Sequence, residues 1–241
     1  MQYSRRLFIS ALGATPFAGW SQPVVCTPPS LGALSQRMGK AWLCMADPEL
    51  TMPARDVLAA SCAAFEQQLA QMSRNPAGPE QAGCLRAMAR RYEDYQAVLA
   101  STPGIEGHRA LLSTANEMMT LAQLSQSAQG GSRAALPWQA RLASRQRLLS
   151  QRVALLGLAS PGVESTRRER QAAIYEFEAG LQTLRESGGA GLRDGLALAD
   201  AAWAPLKDGA STARPVPVFV ASERLLSVMD AMTEHCIRLP A

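Results

Sequence analysis

The amino-acid sequence predicts an all-α protein, laid out as two tandem up-down antiparallel four-helix bundles. Three observations carry that expectation. Aromatic residues make up 5% of the 241 residues while 47% are apolar, and Ala, Leu, Gln, Arg and Met dominate over β-branched types. Unbranched side chains lose little rotamer freedom in a helix, so this composition favours helices. No alternating apolar/polar run of useful length reads as a strand, and the second half of the chain repeats the pattern of the first.

Taken in order, a first helix is expected from Ser30 to Ala46, stopping at Asp47-Pro48. A second starts near Thr51 with Pro53 in its first turn, where a missing N–H costs nothing. It carries Val57, Leu58, Phe65, Leu69 and Met72 at helical spacing, and Asn75-Pro-Ala-Gly-Pro79 breaks it. The third spans Glu80 to Ala100 and the fourth Ile105 to Ser127, before the strongest internal boundary, Gln129-Gly-Gly-Ser132. The fifth contains Arg141–Leu158 and ends near Ser160-Pro-Gly162. The sixth spans Glu164 to Glu186. The seventh, Gly191 to Lys207, is the weakest because of Gly195 and Pro205, and the eighth runs from Val218 to Arg238.

The repeat is visible residue by residue. Ser35-Gln36-Arg37 matches Ser150-Gln151-Arg152, Phe65-Glu66-x-x-Leu69 matches Phe177-Glu178-x-x-Leu181, Tyr92 matches Trp203, and Met118-Met119 matches Leu225-Leu226. The offset falls in steps from 115 to 107 residues, as a duplication with shortened loops would produce. Short connections favour antiparallel neighbours. The domains expected are residues 1–21 as a signal segment, 28–128 as the first unit and 136–239 as the second.

Ser4-Arg-Arg-Leu-Phe-Ile-Ser10 and the short apolar run after it resemble a twin-arginine export signal, with small residues at Gly19 and Ser21 for cleavage. The expected location is therefore the periplasm. No other segment approaches the ~20 apolar residues of a membrane span. The formal charge of +4 falls to +2 without the signal, and no Lys/Arg run is interleaved with aromatics, which argues against nucleic acid as a partner. Five cysteines (Cys26, Cys44, Cys62, Cys84, Cys236) form no CxxC. Cys44, Cys62 and Cys84 read either as offering one disulfide or as small buried hydrophobes. His108 and His235 belong to no ligand set, so neither a metal nor a cofactor is expected. The methionines fall at core spacing, and no nucleophile elbow, P-loop or GxGxxG occurs. The chain is not expected to be an enzyme.

What needs explaining is the fifth helix, RLASRQRLLSQRVALLGL, with three arginines among leucines. On a helical wheel Leu142, Leu149, Val153 and Leu156 cluster within about 40°. Arg145 and Arg152 fall inside the apolar arc, and Arg147 points with Ser150 and Gln151 to the polar side. An inward Arg must be paired or must reach out with its head. Glu178 and Glu66, which recur with the repeat, are the expected partners, and Arg37, Arg145 and Arg152 are read as structural. Arg147 is the functional candidate, because a guanidinium fork takes a small planar oxyanion bidentately.

The run LASRQRLLSQR resembles the signature that opens the periplasmic sensor domain of PilJ-type chemotaxis transducers and NarX-type nitrate/nitrite sensor kinases, with Ser144 in place of the family Gly. The resemblance covers nearly the whole chain after the signal. It implies four-helix sensor domains, a small oxyanion (nitrate or nitrite) as ligand, Arg147 as its direct ligand with Ser150 and Gln151 as neighbouring donors, and signalling through a separate protein partner. In the first half Gly32 stands where Arg147 would, so two chains, each donating Arg147, would be needed to restore a pair; this expects a homodimer. The competing expectation is a ligand-free helical scaffold or interaction module in a periplasmic or envelope assembly.

Overall fold

A computed structural model describes residues 30–129, 136–159, 162–187 and 189–238. The signal segment, Cys26 and the Gly130–Ser132 boundary lie outside the described residues. Among the described residues there are eight α-helices and no strand. They are α1 (Leu31–Cys44), α2 (Thr51–Arg74), α3 (Pro79–Leu99), α4 (Ile105–Ser127), α5 (Trp138–Ala159), α6 (Glu164–Ser187), α7 (Arg193–Ser211) and α8 (Pro215–Arg238). A 3₁₀ turn, Ala190–Leu192, precedes α7.

The all-α expectation holds, and the boundaries differ locally. Ser30 is the N-cap of α1 rather than its first residue; its hydroxyl accepts from the Ala33 N–H at 3.2 Å. Pro79 opens α3 and Pro215 opens α8, each at a first turn that tolerates a missing donor. Pro205 sits inside α7, which continues past it to Ser211. A proline costs one backbone hydrogen bond, and Leu206 and Ala210 beyond it are fully buried, so packing outweighs that loss.

The helices pack as in helical bundles: α1 lies against α2 and α4, α3 against α4, α5 against α6 and α8, and α7 against α8. One apolar core gathers Leu34, Phe65, Met88, Tyr95, Leu111 and Met118 from α1–α4. A second gathers Val153, Phe177, Trp203, Leu206, Leu225 and Met229 from α5–α8. The two meet along α1 and α5, which also pack together. A Cβ on Gly32 would meet Leu148, one on Gly39 would meet Leu155 at 3.1 Å, and Lys40 reaches Gln151. From Gly32–Leu148 to Gly39–Leu155 the contacting numbers rise together, so α1 and α5 run parallel.

The sequence repeat reappears as matched contacts. Tyr92 Oη donates to Glu66 Oε1 at 2.9 Å, and Trp203 Nε1 donates to Glu178 Oε1 at 3.1 Å. Gln96 and Lys207, one turn on, donate to the same two carboxylates. Phe65 stacks on Tyr92 with centroids 4.6 Å apart, and Phe177 on Trp203 at 4.2 Å. Glu66 and Glu178 thus serve the second and third helices of their own halves; they are not the partners of Arg37 and Arg152. The four described cysteines, Cys44, Cys62, Cys84 and Cys236, are free thiols, so no disulfide joins Cys44, Cys62 and Cys84.

Candidate functional site

α1 and α5 are each covered on most sides by other helices, so polar residues on them are buried as well. Ser35, Gln36 and Lys40 of α1 and Gln146, Arg147, Ser150 and Gln151 of α5 have no solvent exposure. This reverses the wheel reading. Arg147, expected on the polar side, is buried, while Arg145, expected inside, is a third exposed and pairs with Glu176 at 2.7 Å. A wheel orders residues by angle around one helix, but burial depends on which faces other helices cover. Here α1 and α8 cover the polar face of α5.

The buried polar side chains form a seam where α1, α5 and α8 meet. Lys40 Nζ donates to Gln151 Oε1 (2.8 Å), Ser222 Oγ (2.9 Å) and Glu223 Oε1 (2.5 Å), which uses all three ammonium protons. It also lies over the Phe219 ring, 5.3 Å from the centroid. Arg37 grips the same Glu223 with Nε at 3.1 Å and Nη2 at 2.5 Å. Burial works against the charge of Glu223, but Lys40 and Arg37 outweigh it and hold the carboxyl down at about 2. Burial also lowers the Lys40 ammonium, against the pull of Glu223.

About two turns further along α8, Asp230 Oδ1 forms an ion pair with Arg147, 2.9 Å from Nε, while the Nε–H donates to Thr233 Oγ1 at 3.3 Å. Asp230 is pushed up to about 6 by burial, with Arg147 pulling the other way. Ser150 Oγ donates to the Arg147 carbonyl at 2.9 Å, as Ser35 Oγ does to the Gly32 carbonyl at 2.8 Å. Gln151 Nε2 donates to the Ser222 carbonyl at 3.0 Å, as Gln36 Nε2 does to the Ala115 carbonyl at 2.9 Å. Arg152 donates to Asn116 Oδ1 and Glu169, each at 2.8 Å. Arg37 and Arg152 therefore each reach from the first helix of one half to the last helix of the other.

The seam is nonetheless one-sided. At matched positions Lys40 faces Leu155, Glu223 faces Asn116 and Arg147 faces Gly32. A Cβ on Gly32 would meet Ala122 at 3.4 Å, so that position points at α4 and away from Arg147. Gln36 Oε1, matched to the oxygen that Lys40 satisfies on Gln151, is buried with no hydrogen-bond partner.

No family model, curated protein or solved structure matches the chain. The chemistry of the seam must therefore be argued from its own groups. Sequence reasoning singled out Arg147, Ser150, Gln151, Arg37, Arg145 and Arg152, and all but Arg145 and Arg152 belong to this seam. It missed Lys40, Glu223 and Asp230. Of these only Glu223 carried a local signal, an acid with Phe219, Val220 and Leu226 three and four residues away; Lys40 has Gln36 and Arg37, and Asp230 has Ser227, Thr233 and Glu234, at those spacings, so neither stands out as a buried charge. Among the described residues no group of three or more His, Cys, Asp and Glu is placed to hold a metal ion. No described helix is long and apolar enough to cross a membrane.

Proposed function

We propose that the chain is an exported, non-enzymatic helical interaction module of the periplasm, acting through a protein partner. The observation that carries this reading is that the groups expected to receive an oxyanion are engaged within the chain. Arg147 is held by Asp230 and Thr233, and Gln151 lies between Lys40 and the Ser222 carbonyl. A guanidinium already facing a carboxylate has its charge compensated, and an external monoanion must displace that carboxylate to bind. The matched contacts of the two halves support two tandem PilJ/NarX-like four-helix domains, 28–128 and 136–239.

A second reading keeps the small-oxyanion sensor, and Asp230 favours it. Its carboxyl, held up to about 6 by burial, gives up its charge readily and is a weak competitor for Arg147. Nitrate or nitrite would then take its place, with Ser150 and Gln151 as neighbours.

Calorimetric titration with nitrate and nitrite at pH 7 separates the two. The interaction-module reading expects no heat and no thermal shift at millimolar anion. Saturable heat that is abolished in Arg147→Ala overturns it in favour of the sensor.

A further inference from the structure

We infer that Cys62 and Met38 form a binding site for a soft monovalent metal ion, Cu(I), between α1 and α2. This goes beyond the interaction-module reading and uses none of the seam. Cys62 on α2 is a half-buried free thiol, and Met38 on α1 has no solvent exposure. The Cys62 thiol donates to Met38 Sδ at 3.4 Å, so the two sulfurs face each other across the α1–α2 contact. The pair stands outside the His, Cys, Asp and Glu sets considered above because one of its donors is a thioether.

Packing alone does not call for sulfur at these places. In the repeat Met38 matches Val153 and Cys62 matches Ile174, at the offsets that align Arg37 with Arg152 and Phe65 with Phe177. Val153 and Ile174 are both buried in the core of the second half, so hydrocarbon fills the equivalent positions there. The neighbours do recur, since Tyr92 and Glu66 make the contact that Trp203 and Glu178 make. The sulfur pair is what the first half adds to a shared framework. A thiol is a weak donor and a thioether a weak acceptor, so their contact supplies little stability by itself.

The donor set selects the ion. Thiolate and thioether are soft ligands, suited to Cu(I) rather than to Mg(II) or Ca(II). A thiolate with a monovalent ion is neutral as a unit, so a half-buried apolar site holds it at small electrostatic cost, whereas a divalent ion keeps a net charge there. Glu66, one turn beyond Cys62, already accepts from Tyr92 and Gln96. On binding, the Cys62 thiol loses its proton to solvent and two copper–sulfur bonds form; the metal stays Cu(I) and no electron moves. Burial pushes the Cys62 thiol up while the Tyr92 hydroxyl pulls it down, so uptake releases a proton and strengthens as the pH rises. To hold an ion about 2.3 Å from each sulfur the pair must open by roughly 1 Å, which the three rotatable bonds of Met38 allow.

The test is anaerobic titration of the full-length chain with Cu(I) in competition with the chromogenic chelator bathocuproine disulfonate. Cys26→Ser and Cys84→Ser together form the background, which leaves Cys62 as the one described cysteine that is not fully buried. A one-to-one complex is expected, with X-ray absorption showing two sulfur neighbours at about 2.3 Å. Met38→Leu conserves volume, so the fold survives, as helical circular dichroism can verify. It is expected to weaken binding about tenfold or more, since even groups behind the ligands of a metal are worth that much. Cys62→Ala is expected to abolish binding. Absence of a one-to-one complex, a copper shell of nitrogen and oxygen only, or unchanged affinity in Met38→Leu overturns the inference, the last even where Cys62→Ala fails to fold. Zn(II) bound as tightly as Cu(I) overturns it too.

Discussion

Replacing Glu223 by Gln removes the one carboxylate shared by Lys40 and Arg37 while keeping the size of the side chain. Arg37 is about a fifth exposed and can turn its head to water, so its loss is small. Lys40 is fully buried and cannot; it keeps Gln151 and Ser222 but faces no negative charge within bonding distance. Breaking a buried pair from one side costs about 3–5 kcal/mol, and the two surviving hydrogen bonds place the expectation near the lower figure. For a chain of this length about 3 kcal/mol is a fall in Tm of roughly 6–12 °C. Urea and thermal unfolding followed by circular dichroism at pH 7 would measure it. The molecule also supplies the rescue, because the matched positions across the seam are Leu155 and Asn116. Lys40→Leu combined with Glu223→Asn should therefore recover most of the loss, since the buried ammonium is removed together with its carboxylate. The Glu223 carboxyl is held at about 2, below its ordinary range, so its contribution is present above ~4.3 and is lost as the pH falls through 2. The gap between wild type and Glu223→Gln should accordingly close over that window. A Glu223→Gln effect below about 1 kcal/mol, or a double variant no more stable than the single one, would refute the reasoning.

Asp230 has the opposite sign. Its carboxyl is held up at about 6, so its linked stability is full below ~3.9 and is lost as the pH rises through 6. The side chain is more than a third exposed, which limits the effect to about 1 kcal/mol. Asp230→Asn should remove this decline, seen as a smaller drop in the urea midpoint between pH 4.5 and 7 than in wild type. Gly157 marks the tightest approach of α5 to α7, where an added Cβ would lie 2.6 Å from Ala210 Cβ and 2.7 Å from its Cα. Backbone must move to admit it, so Gly157→Ala should destabilise by about 1–3 kcal/mol in chemical denaturation, whereas alanine elsewhere in a helix is favourable.

What the sequence made legible was set by local rules. Helical periodicity and proline/glycine breaks located all eight helices, and the repeat foretold that Phe65 and Phe177, or Glu66 and Glu178, would stand in equivalent places. The partners of the arginines were not legible. Arg37 pairs with Glu223, and Arg152 hydrogen-bonds Asn116, on the last helix of the other half, and nothing within one half encodes that crossing; the carboxylate of Arg152, Glu169, lies on α6 of its own half. The wheel failed at Arg145 and Arg147 for the same reason. It assumes one buried face, whereas α5 is packed by α1, α6, α7 and α8 and keeps little exposed surface.

The asymmetry of the seam bears on how the two halves recognise each other. If α1 of one chain paired with α1 of a second copy, Lys40 would meet Gln36, with Ala115 and Asn116 standing in the places of Ser222 and Glu223. Two buried ammonium groups would then lack a carboxylate, at several kcal/mol each. Pairing α5 with α5 would instead leave Glu223 and Gln151 against Leu155, with no ammonium to satisfy them. The intrachain α1–α5 pairing therefore wins on charge alone, although the apolar surfaces of the two helices are similar. It also covers the face of α5 that carries Arg147, which counts against a homodimer built on that helix. Residues 22–131 and 132–241 co-expressed as separate chains should associate one to one, measured by sedimentation and mass. Lys40→Leu should weaken that preference by removing the ammonium that α1–α1 pairing cannot satisfy. Stable homodimers of either half at the expense of the mixed pair would show that the buried charges do not set the choice of partner.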